Sequence, residues 1–284
     1  MKRYLTLTLL LAIFLTACGA SSTPTPAPAT EAPTLAPTEV LPPATPEPEP
    51  QTLIVFAAAS LTDAFTEIGA AFDAANPGVT TTFNFAGSQA LRTQIEEGAP
   101  ADVFASASGK EMETLVTGSF VGADVSQVFL TNKLVVILPE NNPAALEKLE
   151  DLANPGIKIV LAAEEVPVGK YARQALDLMD ASSGTGFKDK VLANVVSNED
   201  NVKQVVAKVQ LGEADAGIVY VSDVVAAPEL KSIEIPTDLN VIAKYPIAPL
   251  VKSENADLAA KFIEYVLSVE GQAVLAKWGF APVK

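Results

Sequence analysis

The sequence predicts an α/β fold with a mostly parallel sheet, and three observations support this. From residue 51 onward, short apolar runs of strand length alternate with segments whose apolar residues recur at helical spacing. The first run, residues 53–59, is continuously apolar, which is typical of a strand that is covered on both faces. The folded part, about 234 residues, exceeds one small doubly wound sheet, so we expect two lobes.

The elements follow one another in a regular order. After the strand at 53–59, a helix begins near Leu61 and stops at Asn76-Pro77-Gly78, because proline and glycine do not continue a helix. Further strands are predicted at residues 79–85, 102–105, 134–138, 157–161, 216–221, 233–235 and 245–251. Further helices are predicted near residues 88–98, 112–116, 143–152, 168–179, 201–211, 257–267 and 271–278.

The N-terminal 50 residues differ in composition from the rest. Residues 1–18 begin with a basic tripeptide, continue with an apolar stretch too short to span a bilayer, and end at Cys18. The run Leu-Thr-Ala-Cys-Gly at 15–19 resembles a bacterial lipoprotein cleavage box, so we expect a signal peptide that ends at a lipidated Cys18; an ordinary signal peptide with an incidental cysteine is the alternative. Residues 19–50 hold ten of the 21 prolines and predict a disordered tether.

Composition excludes several classes of function. The net charge is −15, and a nucleic-acid-binding protein needs clustered Lys and Arg. The chain has no histidine and one cysteine, which excludes His-dependent triads, His-ligated metals, Cys-cluster zinc sites and an internal disulfide. There is no phosphate-binding glycine motif and no tight carboxylate cluster. We therefore expect no cofactor, no metal cation and no nucleic acid.

Three strand-to-helix junctions predict a possible anion site. Ser60 and Ser88 each follow a strand as small hydroxyl residues at the expected helix N-cap, with Asp63 in capping-box spacing to Ser60. Pro167 precedes or opens a third helix. Helix starts expose unpaired N–H groups and a positive dipole end, which attract anions. Ordinary capping is the alternative at each junction.

Six segments resemble the substrate-binding proteins of bacterial molybdate ABC importers. They are VFAAASLTDA (55–64), FAGS (85–88), GAPADVF (98–104), VPVGKYA (166–172), EDNV (199–202) and GEADAGIVYVSD (212–223). The resemblance implies a type II periplasmic-binding-protein fold, a two-lobed Venus flytrap in which each lobe is a mostly parallel sheet flanked by helices. Its expected lobes are residues 51–131 with 244–284, and residues 132–243.

The resemblance also implies an oxyanion site made of neutral donors. Ser60 and Ser88 would each offer a hydroxyl and a backbone N–H, Val168 and Val202 a backbone N–H each, and Tyr220 its phenol hydroxyl. The family often has alanine at the position of Val168 and serine at that of Gly87. Each residue also has an ordinary structural role as an alternative. The serines would only cap helices, Tyr220 would be a core residue, and the two valines would only pack.

The function implied is therefore capture of molybdate, and of tungstate, in a cleft between the lobes, without catalysis. The expected partners are an ABC permease with its ATPase and the membrane, through a lipid anchor on the outer face of the cytoplasmic membrane. A monomer is expected. A receptor of the same fold for sulfate, phosphate or ferric iron is the main alternative, and a serine enzyme with Lys170 as base or a non-transport adhesin are the others.

Overall fold

The computed structural model describes residues 50–183 and 186–283, so the predicted signal peptide, Cys18 and nearly all of the predicted tether lie outside it. The strands are β1 (Gln51–Ala58), β2 (Val79–Ala86), β3 (Val103–Ala105), β4 (Gln127–Leu138), β5 (Ile159–Ala162), β6 (Val195–Glu199), β7 (Ala216–Tyr220), β8 (Lys231–Glu234) and β9 (Ile242–Pro249). The α-helices are α1 (Thr62–Ala75), α2 (Ser88–Glu96), α3 (Gly109–Thr117), α4 (Pro167–Ser183), α5 (Phe187–Ala193), α6 (Val202–Gln210), α7 (Val221–Ala226), α8 (Ala256–Leu267) and α9 (Val269–Lys277). Short 3-10 turns cover Ala59–Leu61, Leu149–Ala153 and Thr237–Leu239. Within these residues no helix combines the length and apolarity that a membrane span requires.

The strands form one sheet in the order β2-β1-β3-β9-β4-β7-β5-β6, and β8 pairs with β4 beside this path. Its first half contains β1–β3 and β9 with helices α1–α3, α8 and α9. Its second half contains β5–β8 with helices α4–α7. The outer strands are parallel in both halves: β1 pairs with β2 and β3, and β5 pairs with β6 and β7. The antiparallel pairs all involve β4 or β9, at the centre.

The long strand β4 joins the two halves. It pairs with β9 up to Lys133 and with β7 from Leu134 onward. The predicted lobe crossovers, at residues 131–132 and 243–244, are direct partners in this ladder, because Thr131 pairs with Lys244 and Asn132 with Ala243. The lobe boundaries, and motion of the two lobes against each other, stay predictions.

Aromatic side chains fill the core of the first half. Phe65, Phe72 and Phe262 are fully buried, and Phe262 contacts both other rings edge-on at centroid distances of 6.0 and 5.3 Å. The cluster packs α1 and α8 together beside the sheet. The parallel strands of each half end at the same edge of the sheet, and the helices that follow them begin there.

The sequence prediction differs from the structure in several elements. No α-helix occupies residues 143–152, because Asn142 and Ala145 adopt positive φ values of 41° and 52° and the Asn142 side chain bonds the backbone of Leu146. Only the 3-10 turn Leu149–Ala153 forms there. Helices α5 and α7 and strand β6 were not predicted. Strand β4 begins at Gln127, earlier than the predicted start at residue 134, because its first two residues are exposed and it contains the polar stretch 131–133.

Candidate functional site

The five predicted ligand residues line one small cavity between the two halves of the sheet. Ser60 and Ser88 come from the first half, and Val168, Val202 and Tyr220 come from the second half. The cavity offers about 20 Å³ to the centre of a water-sized sphere, which is room for one small guest. The structure therefore brings together every residue of the predicted set, and their role as oxyanion ligands stays a prediction.

Ser60 lies at the carboxyl end of β1, inside the 3-10 turn Ala59–Leu61. It is not the helix N-cap that its spacing predicted: α1 begins at Thr62, its N-cap is Leu61, and neither cap uses a side-chain hydrogen bond. Asp63 accordingly forms no capping box with it. The Ser60 hydroxyl is buried and lies 2.9 Å from the Tyr245 hydroxyl. If Tyr245 donates to Ser60, the Ser60 proton remains for a guest in the cavity.

Ser88 is the first residue of α2, directly after the N-cap Gly87, so this serine is also not the cap that was predicted. Its Oγ accepts a hydrogen bond of 3.0 Å from the backbone N–H of Ala107. Because the oxygen is engaged as an acceptor, the hydroxyl proton is free to point into the cavity. The contact also fixes the side chain in a buried position.

Val168 and Val202 contribute backbone N–H groups to the site rather than side-chain groups. Pro167 opens α4, as predicted, and Val168 is the second residue of that helix. Val202 opens α6, where the Asn201 side chain caps the helix by accepting from Gln204 N–H. N–H groups in the first turn of a helix have no carbonyl partner within the helix. Both valines therefore present N–H donors at the positive ends of helix dipoles.

Tyr220 ends β7 and is almost wholly buried. Its hydroxyl lies near the Tyr245 hydroxyl but makes no hydrogen bond of acceptable geometry with any described residue, although buried hydroxyls are normally paired. Burial raises the pKa of this phenol well above its usual value, and the neighbouring Tyr245 raises it further. The group is therefore a neutral donor at all physiological pH values, and an anion in the cavity would satisfy it.

Tyr245 is a neighbour of the site that was not predicted from the sequence. It lies in β9, fully buried, with its ring edge-on to Tyr220 at a centroid distance of 5.9 Å. Burial raises its pKa, so it stays protonated and able to donate to Ser60. A tyrosine within an apolar strand resembles any core residue, and only the pairing of β9 with β3 and β4 places it under the cavity.

The walls of the cavity carry no formal charge. The described residues that line it include no Lys, Arg, Asp or Glu. Among the residues that the structure describes, no group of three or more His, Cys, Asp or Glu side chains could hold a metal cation. The arrangement can bind an acceptor-only guest through oriented neutral dipoles, and it contains no activated nucleophile.

Comparison with known proteins identifies relatives of nearly the whole folded part. The family model described as bacterial extracellular solute-binding protein matches residues 53–281. The chain is 38% identical over 240 residues to the molybdate-binding protein ModA of Mycobacterium tuberculosis, which covers 84% of this chain and 88% of that protein.

Two solved structures confirm the predicted fold. The substrate-binding domain of a putative molybdenum ABC transporter from Clostridium difficile matches with a TM-score of 0.62 at 33% identity, covering 82% of this chain and 99% of that chain. The periplasmic molybdate-binding protein of Azotobacter vinelandii matches with a TM-score of 0.73 at 20% identity, covering 82% and 100%. The chain belongs to the family of bacterial extracellular solute-binding proteins.

Proposed function

We propose that this protein captures molybdate, and also tungstate, in the cavity between its two halves and delivers it to an ABC importer. The observation that carries the proposal is the buried Tyr220 hydroxyl, which has no hydrogen-bond partner within residues 50–183 and 186–283, in a cavity that Ser60, Ser88, Val168 and Val202 also line. Relatives that are named molybdate-binding proteins support the choice of guest.

Neutral donors are sufficient to hold a dianion. The two serines contribute a hydroxyl and an N–H each, the two valines one N–H each, and Tyr220 one hydroxyl, which makes seven donors. Hydrogen bonds to a charged group contribute about 1.5–3 kcal/mol each, so seven give about 10–20 kcal/mol before ordering and desolvation costs. Affinities from nanomolar to micromolar, about −12 to −8 kcal/mol, are therefore attainable without a salt bridge to the anion.

The same donor set favours a fully deprotonated guest. Molybdate, tungstate and sulfate only accept hydrogen bonds, whereas hydrogen phosphate carries a proton that requires an acceptor. No carboxylate lines the described cavity, so phosphate should bind poorly. Sulfate has the same charge and must be rejected by size, and a sulfate receptor of the same fold remains the alternative function.

The proposed location and partners rest on the N-terminal sequence and on the family. The predicted lipidation of Cys18 and the predicted tether at 19–50 would hold the folded part at the outer face of the cytoplasmic membrane. Capture on one lobe, hinge closure of the other and docking of the closed monomer on the permease form the proposed cycle. The boundaries of the lobes remain those proposed from the sequence. A serine-lysine enzyme gains no support, because Lys170 is exposed and does not line the cavity.

A thermal-shift and calorimetric titration of the full chain, purified in detergent, tests the proposal. Selective stabilisation by molybdate and tungstate over sulfate and phosphate supports it, since a ligand that binds only the folded state stabilises that state. An equal response to sulfate would indicate a general oxyanion receptor. The absence of a response to either metal oxyanion would refute the function.

A further inference from the structure

An ion pair joins the two halves of the sheet close to the cavity. Lys203 lies in α6 of the second half, directly after Val202, and its Nζ is 2.6 Å from Oδ2 of Asp63 in α1 of the first half. The two side chains are 30% and 35% exposed, so they are screened only in part from each other by water. The α6 helix packs against the turn Ala59–Leu61 that carries Ser60, which places this pair at the rim of the site.

A buried carboxylate anchors the lysine on its own side of the cleft. Oδ1 of Asp223 is 3.6 Å from Lys203 Nζ, and the Asp223 side chain is fully buried. Its Oδ2 accepts a hydrogen bond of 3.1 Å from Tyr220 N–H, while its Oδ1 has no hydrogen-bond partner among the residues that the structure describes. Lys203 therefore lies between a carboxylate that is fixed beside Tyr220 and a carboxylate that belongs to the other half.

The other ion pairs within the described residues stay inside one half. Lys277 pairs with Glu67 in the first half, and Lys188 with Asp177 in the second. The Arg92 pairs also lie in the first half, and the pair of Lys208 and Glu199 lies in the second. Only a pair that spans the cleft can change its distance when the halves open, so Asp63 and Lys203 are the pair that can respond to closure.

We propose that Lys203 is a latch, which pairs with Asp63 when the cleft closes and thereby slows the escape of the bound oxyanion. The proposal rests on the proposed function. Lys203 and Asp63 are positioning residues: neither lines the cavity, and both act by stabilising the closed arrangement in which Val202 and Tyr220 face the two serines. A lysine just outside the cavity also gives an acidic protein a positive charge near its anionic guest without a direct contact.

The central test compares Asp63→Asn with the control Asp177→Asn in the full chain. Both variants remove one carboxylate charge from a lysine pair of similar length, 2.6 and 2.5 Å, but only Asp63 faces the other half. Calorimetry with molybdate gives the affinity, and a chase of radiolabelled molybdate with excess unlabelled molybdate gives the dissociation rate. For partly exposed pairs we expect Asp63→Asn to release molybdate about threefold to fivefold faster, with an unchanged association rate.

Two further measurements, at high salt and on a second variant, test whether the ion pair causes the slower release. The difference between Asp63→Asn and the unmodified chain should shrink in about 1 M salt, where the Debye length falls to about 3 Å. Lys203→Met should give the same faster release, and it keeps the proposal testable if the first variant is unstable. Equal release rates in Asp63→Asn and Asp177→Asn, with molybdate bound by both, would overturn the latch alone. No molybdate binding by the unmodified chain would overturn the proposed function, and the latch with it.

Discussion

Gly87 is a point at which a single methyl group should obstruct closure. The family resembled often has serine at this position, but in this chain the backbone of Asp200 comes too close to Gly87 to leave room for a side chain. It lies between β2 and α2 in the first half, and a Cβ built on it would be 2.6 Å from the backbone oxygen of Asp200 in the second half. Its backbone angles, φ −60° and ψ 137°, are accessible to any L-residue, so alanine causes no conformational strain within the first half. The Gln89 side-chain amide also lies within 3 Å, but its end can rotate away.

The size of the effect follows from this contact. Ordinary van der Waals contact begins at 3.4 Å, so Gly87→Ala requires the Asp200 carbonyl to retreat by 0.8 Å, from 2.6 to 3.4 Å. Overpacking of this kind costs about 1–3 kcal/mol. Because the cost arises only when the halves approach, we expect it in the binding free energy, where it corresponds to an affinity loss of about fivefold to 150-fold.

Calorimetric titration with molybdate measures this loss directly. Gly109→Ala is the matched control, because a Cβ at Gly109 would meet no atom within 4 Å. Thermal unfolding without ligand should change little in either variant if the free protein opens. An unchanged affinity in Gly87→Ala would refute the reasoning, because it would show that Asp200 does not approach this closely in the bound state.

Three further predictions concern the cavity and its buried acid. Ser60→Ala and Ser88→Ala should each weaken molybdate binding by about 1–3 kcal/mol in calorimetry, and Ser88→Ala should also lower the melting temperature because Ala107 N–H loses its acceptor. Tyr220→Phe should weaken binding similarly without lowering the melting temperature of the free protein, since the hydroxyl it removes has no hydrogen-bond partner in the described part of the chain. Burial raises the pKa of Asp223 from 3.8 to about 6, against the opposing effect of Lys203. The unfolding free energy should therefore fall by up to about 3 kcal/mol as pH rises from about 4 through 6, and Asp223→Asn should flatten this slope in chemical denaturation.

Each of these predictions can fail in a recognisable way. Unchanged affinity in both serine variants would remove the two residues from the site. A lower melting temperature of free Tyr220→Phe would mean that the hydroxyl has a structural partner. For Asp223, a variant that keeps the pH slope of the unmodified protein would assign the slope to another group.

The sequence predicted most strands and helices because their apolar periodicity reflects burial. Strand β7 is buried at every residue, and β1 is buried from Leu53 onward except for the partly exposed Ile54. The segment 143–152 was wrongly predicted as a helix, since a side chain that bonds the backbone and positive φ values leave little trace in an apolar pattern. The edge strand β6 was missed because it is only partly buried.

The candidate site could be predicted in its residues but not in its supporting contacts. Resemblance of short segments indicated Ser60, Ser88 and Tyr220, which the structure places around one cavity. It could not indicate that Tyr245 lies behind Ser60, 185 residues away in sequence, or that Lys203 reaches Asp63 across 140 residues. Such contacts depend on where the whole sheet places β9 and α6, and this placement cannot be predicted from a local sequence pattern.

The central claim is that neutral donors at the ends of two facing halves bind the dianion. A crystal structure of the protein with molybdate tests it most directly. We expect the anion in the cavity, within hydrogen-bond distance of the Ser60, Ser88 and Tyr220 hydroxyls and of the Val168 and Val202 N–H groups. An anion bound elsewhere, or held mainly by Lys or Arg side chains, would contradict the claim.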